Sequence, residues 1–414
     1  MNDGRNLRID PTRLWDSLME LAKIGATNKG GVNRQALTDF DREGRDLFVR
    51  WCETAGCTVT VDGVGNIFAR RAGRDNDLAP VMMGSHLDTQ PTGGKFDGAY
   101  GVLAGLEVIR ALADADYVTK RPIEVAAWTN EEGCRYAPAM AGSGVFAGAY
   151  DETAVAASAD RDGLIFADEL ARIGYAGPEP VGGREIAAFF EAHIEQGPIL
   201  EAEERTIGIV TGSQAIRWYD VTLTGKESHA GTTPMERRND ALVGAARIIS
   251  AIHAVGETRR PNGRATVGEL HVSPNSRNTI PGQVLFTIDI RHPDEATLTE
   301  MAESVAASAR ATAAEFSLDL QLEESMWFPA IAFDPACVAA VASGAEGLGL
   351  RHMEIVSGAG HDACNIAKIA PAGMIFVPCA DGISHAEIES ATPDDCAAGC
   401  AVLLNAVVER ADDG

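Results

Sequence analysis

The chain has 414 residues, of which 45% are hydrophobic, and its 60 acidic and 35 basic residues give a formal net charge of -25. This length predicts two domains, the apolar content is enough for sizeable cores, and the acidic surface excludes nucleic acid and anionic membranes as expected partners. Residues 1–10 are polar, no stretch is apolar enough to span a bilayer, and the 8 cysteines form no CxxC pair. We therefore expect a cytoplasmic protein with reduced thiols.

The first half of the chain alternates between predicted helices and strands. Helical periodicity is present at residues 11–22, 41–55 and 98–112. Strands are predicted at residues 58–61, 66–70, 81–83, 123–128, 186–194 and 207–210. Residues 151–183 are weakly patterned and are predicted as loop around one short helix at 168–173. Strands that alternate with helices indicate an α/β sheet.

The pattern changes in the middle of the chain. Strands are predicted at residues 218–224, 265–272, 284–291 and 318–322, and helices at 239–255 and 294–316. The order strand, helix, strand, strand, helix, strand is that of a ferredoxin-like unit. Residues 214–328 are therefore predicted to be an inserted α+β domain, and residues 1–213 with 329–414 the α/β domain. The α/β pattern resumes with a helix at 335–348, a strand at 374–377 and a helix at 393–410.

A histidine and an aspartate lie at the two ends of one glycine-rich loop. His86 follows a predicted strand that is expected to end at Gly84, so it lies at a strand tip. Asp88 is close enough in sequence to hold the His86 ring. Asp97 comes just before a predicted helix. One imidazole and one carboxylate in this arrangement fit the start of a metal site, and an ordinary surface loop fits these residues equally well.

Other candidate ligands also follow strands. Glu131 and Glu132 are neighbours whose side chains point in different directions, so one can bind metal while the other acts as a base; a solvated acidic turn is the alternative. His193 and His385 each follow an apolar run. Three imidazoles and two carboxylates, with Asp97 shared, suit two divalent ions about 3.5–4 Å apart. A set of nitrogen and oxygen ligands is compatible with Zn, Mn, Co or Ni and does not determine which of these metals is bound.

Five short motifs carry a family resemblance. They are Gly84-Ser85-His86-Leu87-Asp88-Thr89, Gly94-Lys95-Phe96-Asp97-Gly98, Asn130-Glu131-Glu132-Gly133, His193-Ile194-Glu195-Gln196-Gly197-Pro198 and Gly382-Ile383-Ser384-His385-Ala386-Glu387. The chain resembles, over about residues 14–408, the metal-dependent amidohydrolases that include N-carbamoyl-L-amino-acid hydrolase, allantoate amidohydrolase and β-ureidopropionase. The resemblance implies a metal-dependent aminopeptidase-like catalytic domain, with the insertion as lid and dimerisation domain.

The resemblance also assigns roles to the candidate residues. The implied metal ligands are His86, Asp97, Glu132, His193 and His385. By the same resemblance Asp97 bridges two ions, Glu131 is the general base, and the peptide bond from Asp97 to Gly98 is cis. Related di-zinc aminopeptidases and aminoacylases usually carry an acidic residue where this chain has His193, which favours the carbamoylase branch.

The inserted domain has a polar cluster of its own. His229 follows a strand, Asn278 offers a side-chain amide, and Arg291 offers a guanidinium at a strand end. These groups suit an oxyanion donor, a polar clamp and a carboxylate anchor, and a plain polar edge is the alternative that spacing leaves open. The substrate contacts that the resemblance implies are Gln196, Arg217, His229, Asn278, Arg291 and Gly360.

The resemblance implies hydrolysis of the carbamoyl (ureido) C–N bond of N-carbamoyl-L-amino acids to amino acid, carbon dioxide and ammonia. The alternatives are allantoate amidohydrolase or β-ureidopropionase activity and, after them, an aminoacylase or dipeptidase. A metal-bearing binding protein without catalysis is a different class, and the presence of both Glu131 and Glu132 argues against it. The expected partners are a small ureido substrate with a free carboxylate and a second copy of the chain in a homodimer.

Overall fold

A computed structural model describes residues 7–413, and the chain divides into two compact units. Unit 1 comprises the described residues up to Gly212 and from Ala332 onward, and unit 2 is Ser213–Ile331. Part of the polar N-terminal stretch, residues 1–6, lies outside the described residues. Within the described part, none of the helices combines the length and apolar character needed to cross a bilayer.

The helices and strands are numbered along the chain. The helices are α1 (Pro11–Leu21), α2 (Asp39–Thr54), α3 (Ala99–Asp114), α4 (Ala141–Phe146), α5 (Glu152–Ala156), α6 (Phe166–Arg172), α7 (Ile199–Ala202), α8 (Ala241–Glu257), α9 (Glu295–Phe316), α10 (Pro335–Gly347), α11 (Asp362–Ile366) and α12 (Pro393–Asp412). The strands are β1 (Thr58–Val61), β2 (Ile67–Arg71), β3 (Val81–His86), β4 (Ile123–Trp128), β5 (Ala188–Ile194), β6 (Ile207–Ser213), β7 (Ala215–Thr224), β8 (Ser228–His229), β9 (Arg264–Thr266), β10 (Leu270–Ser273), β11 (Thr279–Ile280), β12 (Gln283–His292), β13 (Asp319–Phe328), β14 (Ile331–Ala332), β15 (His352–Ser357) and β16 (Ala372–Val377).

Unit 1 is an α/β structure, as the alternating pattern predicts. Its sheet has the order β1-β2-β4-β3-β5-β16-β6-β14, with β15 beside β6. The central strands β4, β3, β5 and β16 are parallel. His86 lies opposite Trp128, and Val377 opposite Ile194, so these strands end at the same edge of the sheet. The loops that follow them are therefore brought together, which is where open α/β sheets carry their sites.

Unit 2 has the predicted ferredoxin-like topology. Its main sheet has the order β10-β12-β7-β13, and all of these neighbours are antiparallel. Alternate residues of β7 and β12 are buried with apolar residues of α8 and α9 in one core. Because strand side chains alternate between faces, one face of the sheet packs on the helices.

Three local predictions differ from the structure. The strand that was expected to end at Gly84 continues to His86, because β4 pairs with all six of its residues. The single strand predicted over 265–272 is two strands, since the pairing with β12 shifts by one residue between Thr266 and Leu270, as at a β-bulge. The predicted loop before the short helix α6 contains another helix, α5, whose first turn is capped by the Asp151 carboxylate.

Candidate metal centre

The predicted ligands come from strand ends and loops at the common edge of the unit 1 sheet. His86 ends β3 and His193 is the penultimate residue of β5. Glu132 lies four residues beyond the end of β4, and His385 lies in the loop after β16. Asp97 comes two residues before α3 begins. The parallel strands therefore bring together side chains that are far apart in the sequence.

The first ligand set consists of two imidazoles and one oxygen of Asp97. His86 Nε2 lies 3.6 Å and His193 Nε2 3.2 Å from Asp97 Oδ1. All three residues are buried. Glu131 approaches this set, with Oε2 3.5 Å from His86 Nε2.

The second ligand set uses the other oxygen of Asp97. His385 Nε2 lies 3.4 Å from Asp97 Oδ2 and 3.4 Å from Glu132 Oε2. The His385 side chain is 52% exposed, so this set opens to solvent. The neighbours Glu131 and Glu132 thus approach different sets, which is the geometry that a base beside a ligand needs.

The ring nitrogens are oriented for metal binding. His86 Nδ1 lies 2.8 Å from the Asp88 backbone oxygen, and His193 Nδ1 lies 2.9 Å from the Ile194 oxygen. Because carbonyl oxygens accept, each Nδ1 carries the proton and each Nε2 presents a lone pair. The Gly98 N–H donates to His193 Nε2 at 3.2 Å, which fits the same tautomer.

The spacing of these donor atoms fits divalent ions. Bonds of about 2.0–2.1 Å in a tetrahedron place neighbouring ligand atoms roughly 3.3–3.4 Å apart. The separations between imidazole nitrogens and carboxylate oxygens are 3.2–3.6 Å in the first set and 3.4 Å in the second. The residues present therefore fit two ions that share Asp97, each held by nitrogen and oxygen ligands.

The charges at the centre also favour a cation. Burial raises the pKa of Glu131 well above its ordinary value, and the nearby charges of Asp362 and Glu132 add to the shift. Burial and the charge of Asp97 raise the pKa of Glu132 to about 8. Burial opposes ionisation of Asp97 too, but the adjacent imidazoles of His193 and His86 hold its pKa well below the usual value. A bound divalent cation would stabilise the anionic form of all three carboxylates.

Asp88 does more than hold the His86 ring. It binds the ring through its backbone oxygen, whereas its carboxylate lies 3.9 Å from Nδ1. The carboxylate instead accepts the backbone N–H of Glu131 and of Glu132, each at 3.2 Å. Asp88 therefore joins the candidate ligand His86 on β3 to the loop that carries Glu131 and Glu132.

The turn at Asp97 differs from the expectation in one detail. The Asp97–Gly98 peptide bond is trans, and the cis bonds of the described residues all precede prolines. Gly98 makes the turn with a φ of 64°, a backbone conformation that glycine adopts at little cost. A Cβ at this position would lie 2.3 Å from the His86 ring, so the close approach requires glycine.

Two of the six predicted substrate contacts lie in unit 1. Gln196 is at the centre, because its Nε2 donates to Asp97 Oδ2 at 2.9 Å. Gly360 lies in the turn before α11, where a Cβ would meet the Met140 side chain at 3.1 Å. The structure therefore places Gln196 against a candidate ligand and Gly360 in a neighbouring turn.

The other four contacts lie in unit 2. His229 and Asn278 come together: Thr279 pairs with His229, and the Ala230 N–H donates to the backbone oxygen of Asn278 at 2.9 Å. His229 Nδ1 accepts the Gly231 N–H at 3.0 Å, so its other nitrogen carries the proton and can donate. This tautomer suits the proposed oxyanion donor.

The two arginines point to opposite faces of the unit 2 sheet. Arg217 pairs in register with Ile290, and Arg291 with Ile216, so the two side chains cannot share a face. Arg217 stacks on the Trp327 ring at 4.4 Å. Arg291 is bound by Asp289, whose oxygens accept from its Nε at 2.9 Å and Nη2 at 2.7 Å.

Sequence reasoning missed several residues around the centre. Ser384 and Glu389 contact Asp97, and Gln90 donates two hydrogen bonds to Glu132, at 3.0 and 2.7 Å. The rings of His361 and His193 pack with centroids 4.6 Å apart. Ser384 lies next to the predicted ligand His385 in one of the motifs, and His361 directly follows the predicted contact Gly360.

Comparison with known proteins agrees with this architecture. The model of Peptidase family M20/M25/M40 matches residues 82–409. An N-carbamoyl-L-amino-acid amidohydrolase from Rhizobium meliloti is 51% identical over 409 residues, covering 99% of this chain and 98% of that protein. An allantoate amidohydrolase from Bacillus subtilis is 34% identical over 378 residues, covering 91% and 92% of the two.

A solved structure extends the comparison to the fold. An amidase of the hydantoinase/carbamoylase family from Burkholderia multivorans has a TM-score of 0.95 and 57% identity, covering 99% of this chain and 100% of that one. The resemblance that the motifs indicate is thereby confirmed. The chain belongs to Peptidase family M20/M25/M40.

Proposed function

We propose that the protein hydrolyses the carbamoyl C–N bond of N-carbamoyl-L-amino acids. The observation that carries this proposal is the 51% identity, over almost the whole chain, to a relative named for that activity. Allantoate amidohydrolase is the second candidate, supported by a relative at 34% identity. The two activities share the ureido group, so one arrangement of catalytic residues suits both.

The proposed centre holds two divalent ions. His86 and His193 would bind one, His385 and Glu132 the other, and Asp97 would contribute one oxygen to each. The ions supply Lewis-acid polarisation of the ureido carbonyl when they are bound. The donor distances within the two sets support this assignment.

Glu131 is the proposed general base. Its carboxylate takes a proton from the water that attacks the ureido carbon and passes it to the leaving amino-acid nitrogen as the C–N bond breaks. The products are the free amino acid and carbamic acid, which decomposes to carbon dioxide and ammonia. The Asp88 carboxylate accepts the Glu131 backbone N–H and so fixes the position of the backbone from which the Glu131 side chain extends.

A side-by-side substrate comparison tests the proposed activity. With metal-loaded protein, we expect N-carbamoyl-L-amino acids to be cleaved, their amides not to be cleaved, and allantoate to be cleaved far more slowly. Ammonia release and amino-acid formation are measured together at equal metal loading. If allantoate turns over far faster than every N-carbamoyl-L-amino acid tried, the second candidate replaces the first.

Arg291 is proposed to bind the substrate carboxylate. Asp289 holds its guanidinium in one orientation, which would preorganise a fork that lysine cannot reproduce. Arg291→Lys should therefore raise KM about tenfold with little change in kcat, because it weakens uniform binding. Steady-state kinetics with acid and amide substrates measure this effect. Equal cleavage of acid and amide by the unaltered protein would remove the anchoring role.

Three further features stay predictions. His229, Asn278 and Arg217 are proposed substrate contacts, and their support is the motif resemblance. A homodimer through unit 2 and a cytoplasmic location are likewise proposed from the sequence. The exposed Trp218 and Leu285 on the unit 2 sheet are consistent with a surface that another subunit covers.

A further inference from the structure

Glu389 joins the two loops that carry Asp97 and His385. Its carboxylate is buried, and Oε1 accepts the backbone N–H of Phe96 at 3.0 Å and of Asp97 at 3.2 Å. Oε2 lies 3.0 Å from Ser384 Oγ, next to the ligand His385. One carboxylate therefore holds the Phe96–Asp97 backbone and also contacts the Ser384 hydroxyl beside His385.

Ser384 extends this contact to the Asp97 side chain. Its hydroxyl lies 2.9 Å from Asp97 Oδ2, the oxygen that faces His385 and Glu132. Gln196 Nε2 donates to the same oxygen at 2.9 Å. Glu389 fixes the Asp97 backbone while Ser384 and Gln196 fix its carboxylate, so both rotation and position of the side chain are constrained.

The loop backbone is shaped to receive Glu389. A Cβ at Gly94 would lie 2.0 Å from Glu389 Oε1, so any larger residue there displaces the carboxylate. The glycine in the Gly94-Lys95-Phe96-Asp97 motif is thus explained by this contact.

We propose that Glu389, acting with Ser384, is a positioning residue that orients Asp97 so that each of its oxygens faces one ligand set. The inference rests on the metal centre of the proposed function. If Glu389 only stabilised the fold, its substitution would lower the stability of the protein but would leave the affinity for metal unchanged. The two roles therefore separate in a binding measurement made without substrate.

The test compares Co²⁺ binding by Glu389→Ala, Glu389→Gln, Ser384→Ala and Gly94→Ala. Asp62→Ala is the matched control, because this buried carboxylate also accepts two backbone N–H groups and one side-chain N–H, from Val64 and Asn66 in the β1–β2 hairpin. Each metal-free protein is titrated with Co²⁺ alone, followed by visible absorption, and its Tm is measured separately.

We expect Glu389→Ala to bind Co²⁺ about 10–100-fold more weakly, the range typical for partners of metal ligands. Gly94→Ala should behave similarly. Glu389→Gln should lose less, because its amide oxygen can still accept from Phe96 and Asp97. Asp62→Ala should lower Tm while keeping Co²⁺ affinity within about twofold.

Unchanged Co²⁺ affinity in the Glu389 and Ser384 variants would overturn the proposal, whatever their Tm. If Glu389→Ala does not fold, Glu389→Gln and Ser384→Ala decide: weaker binding supports the proposal and unaltered binding contradicts it. Because no substrate is present, inactivity on N-carbamoyl-L-amino acids leaves this result intact. Failure of the unaltered protein to bind Co²⁺ would instead remove the proposed centre itself.

Discussion

Glu131→Gln is expected to lower kcat by about 10²–10⁴-fold, the range typical for loss of a general base, while the protein keeps both metals. The amide retains the size of the side chain and cannot accept the proton from water. Its backbone N–H would still donate to Asp88, so the loop should stay in place. Single-turnover kinetics and elemental analysis on the same sample measure the two properties.

Glu132→Gln is the matched comparison, because it makes the same chemical change one residue away. Glu132 lies 3.4 Å from His385 Nε2 in the second ligand set, whereas Glu131 approaches His86. We expect Glu132→Gln to weaken metal binding first and to recover part of its activity at high metal concentration. If Glu131→Gln loses metal and Glu132→Gln keeps it, the two roles are exchanged.

The sequence predicts where the candidate ligands lie because each of them follows a recognisable strand or precedes a helix. His86, His193 and Glu132 come near the ends of buried apolar runs, and the parallel sheet needs only to place these ends at one edge. The ferredoxin-like order of unit 2 is predictable for a similar reason, because alternation and helical periodicity are local signals.

Contacts between residues that are far apart in the sequence cannot be predicted from such local signals. Glu389 and Asp97 are 292 residues apart, and no local pattern indicates that the Glu389 carboxylate binds the loop that carries Asp97. The proximity of Asp88 to His86 suggests one partner, yet its carboxylate binds amides more than 40 residues away. Arg291 shows the reverse case, since its partner Asp289 lies only two residues away in the sequence.

Asp97→Asn is expected to reduce metal binding at both positions and to lower kcat/KM by roughly 10²–10⁴-fold, which corresponds to several kcal/mol of Lewis-acid stabilisation. Each Asp97 oxygen faces a different ligand set, so the substitution removes charge from both. In this variant the side-chain NH2 group would face either His193 or Gln196. In the unaltered protein both residues approach carboxylate oxygens of Asp97.

Metal stoichiometry distinguishes the shared ligand from the others. His385→Ala should retain one ion per chain, because the set of His86, His193 and Asp97 Oδ1 stays complete. Asp97→Asn should retain less than one after dialysis. His271→Ala is the control, because this exposed histidine pairs with Glu269 in unit 2 and should leave both ions bound. Two tightly held ions in Asp97→Asn, or activity untouched by a chelator in the unaltered protein, would show that Asp97 does not bridge a metal pair.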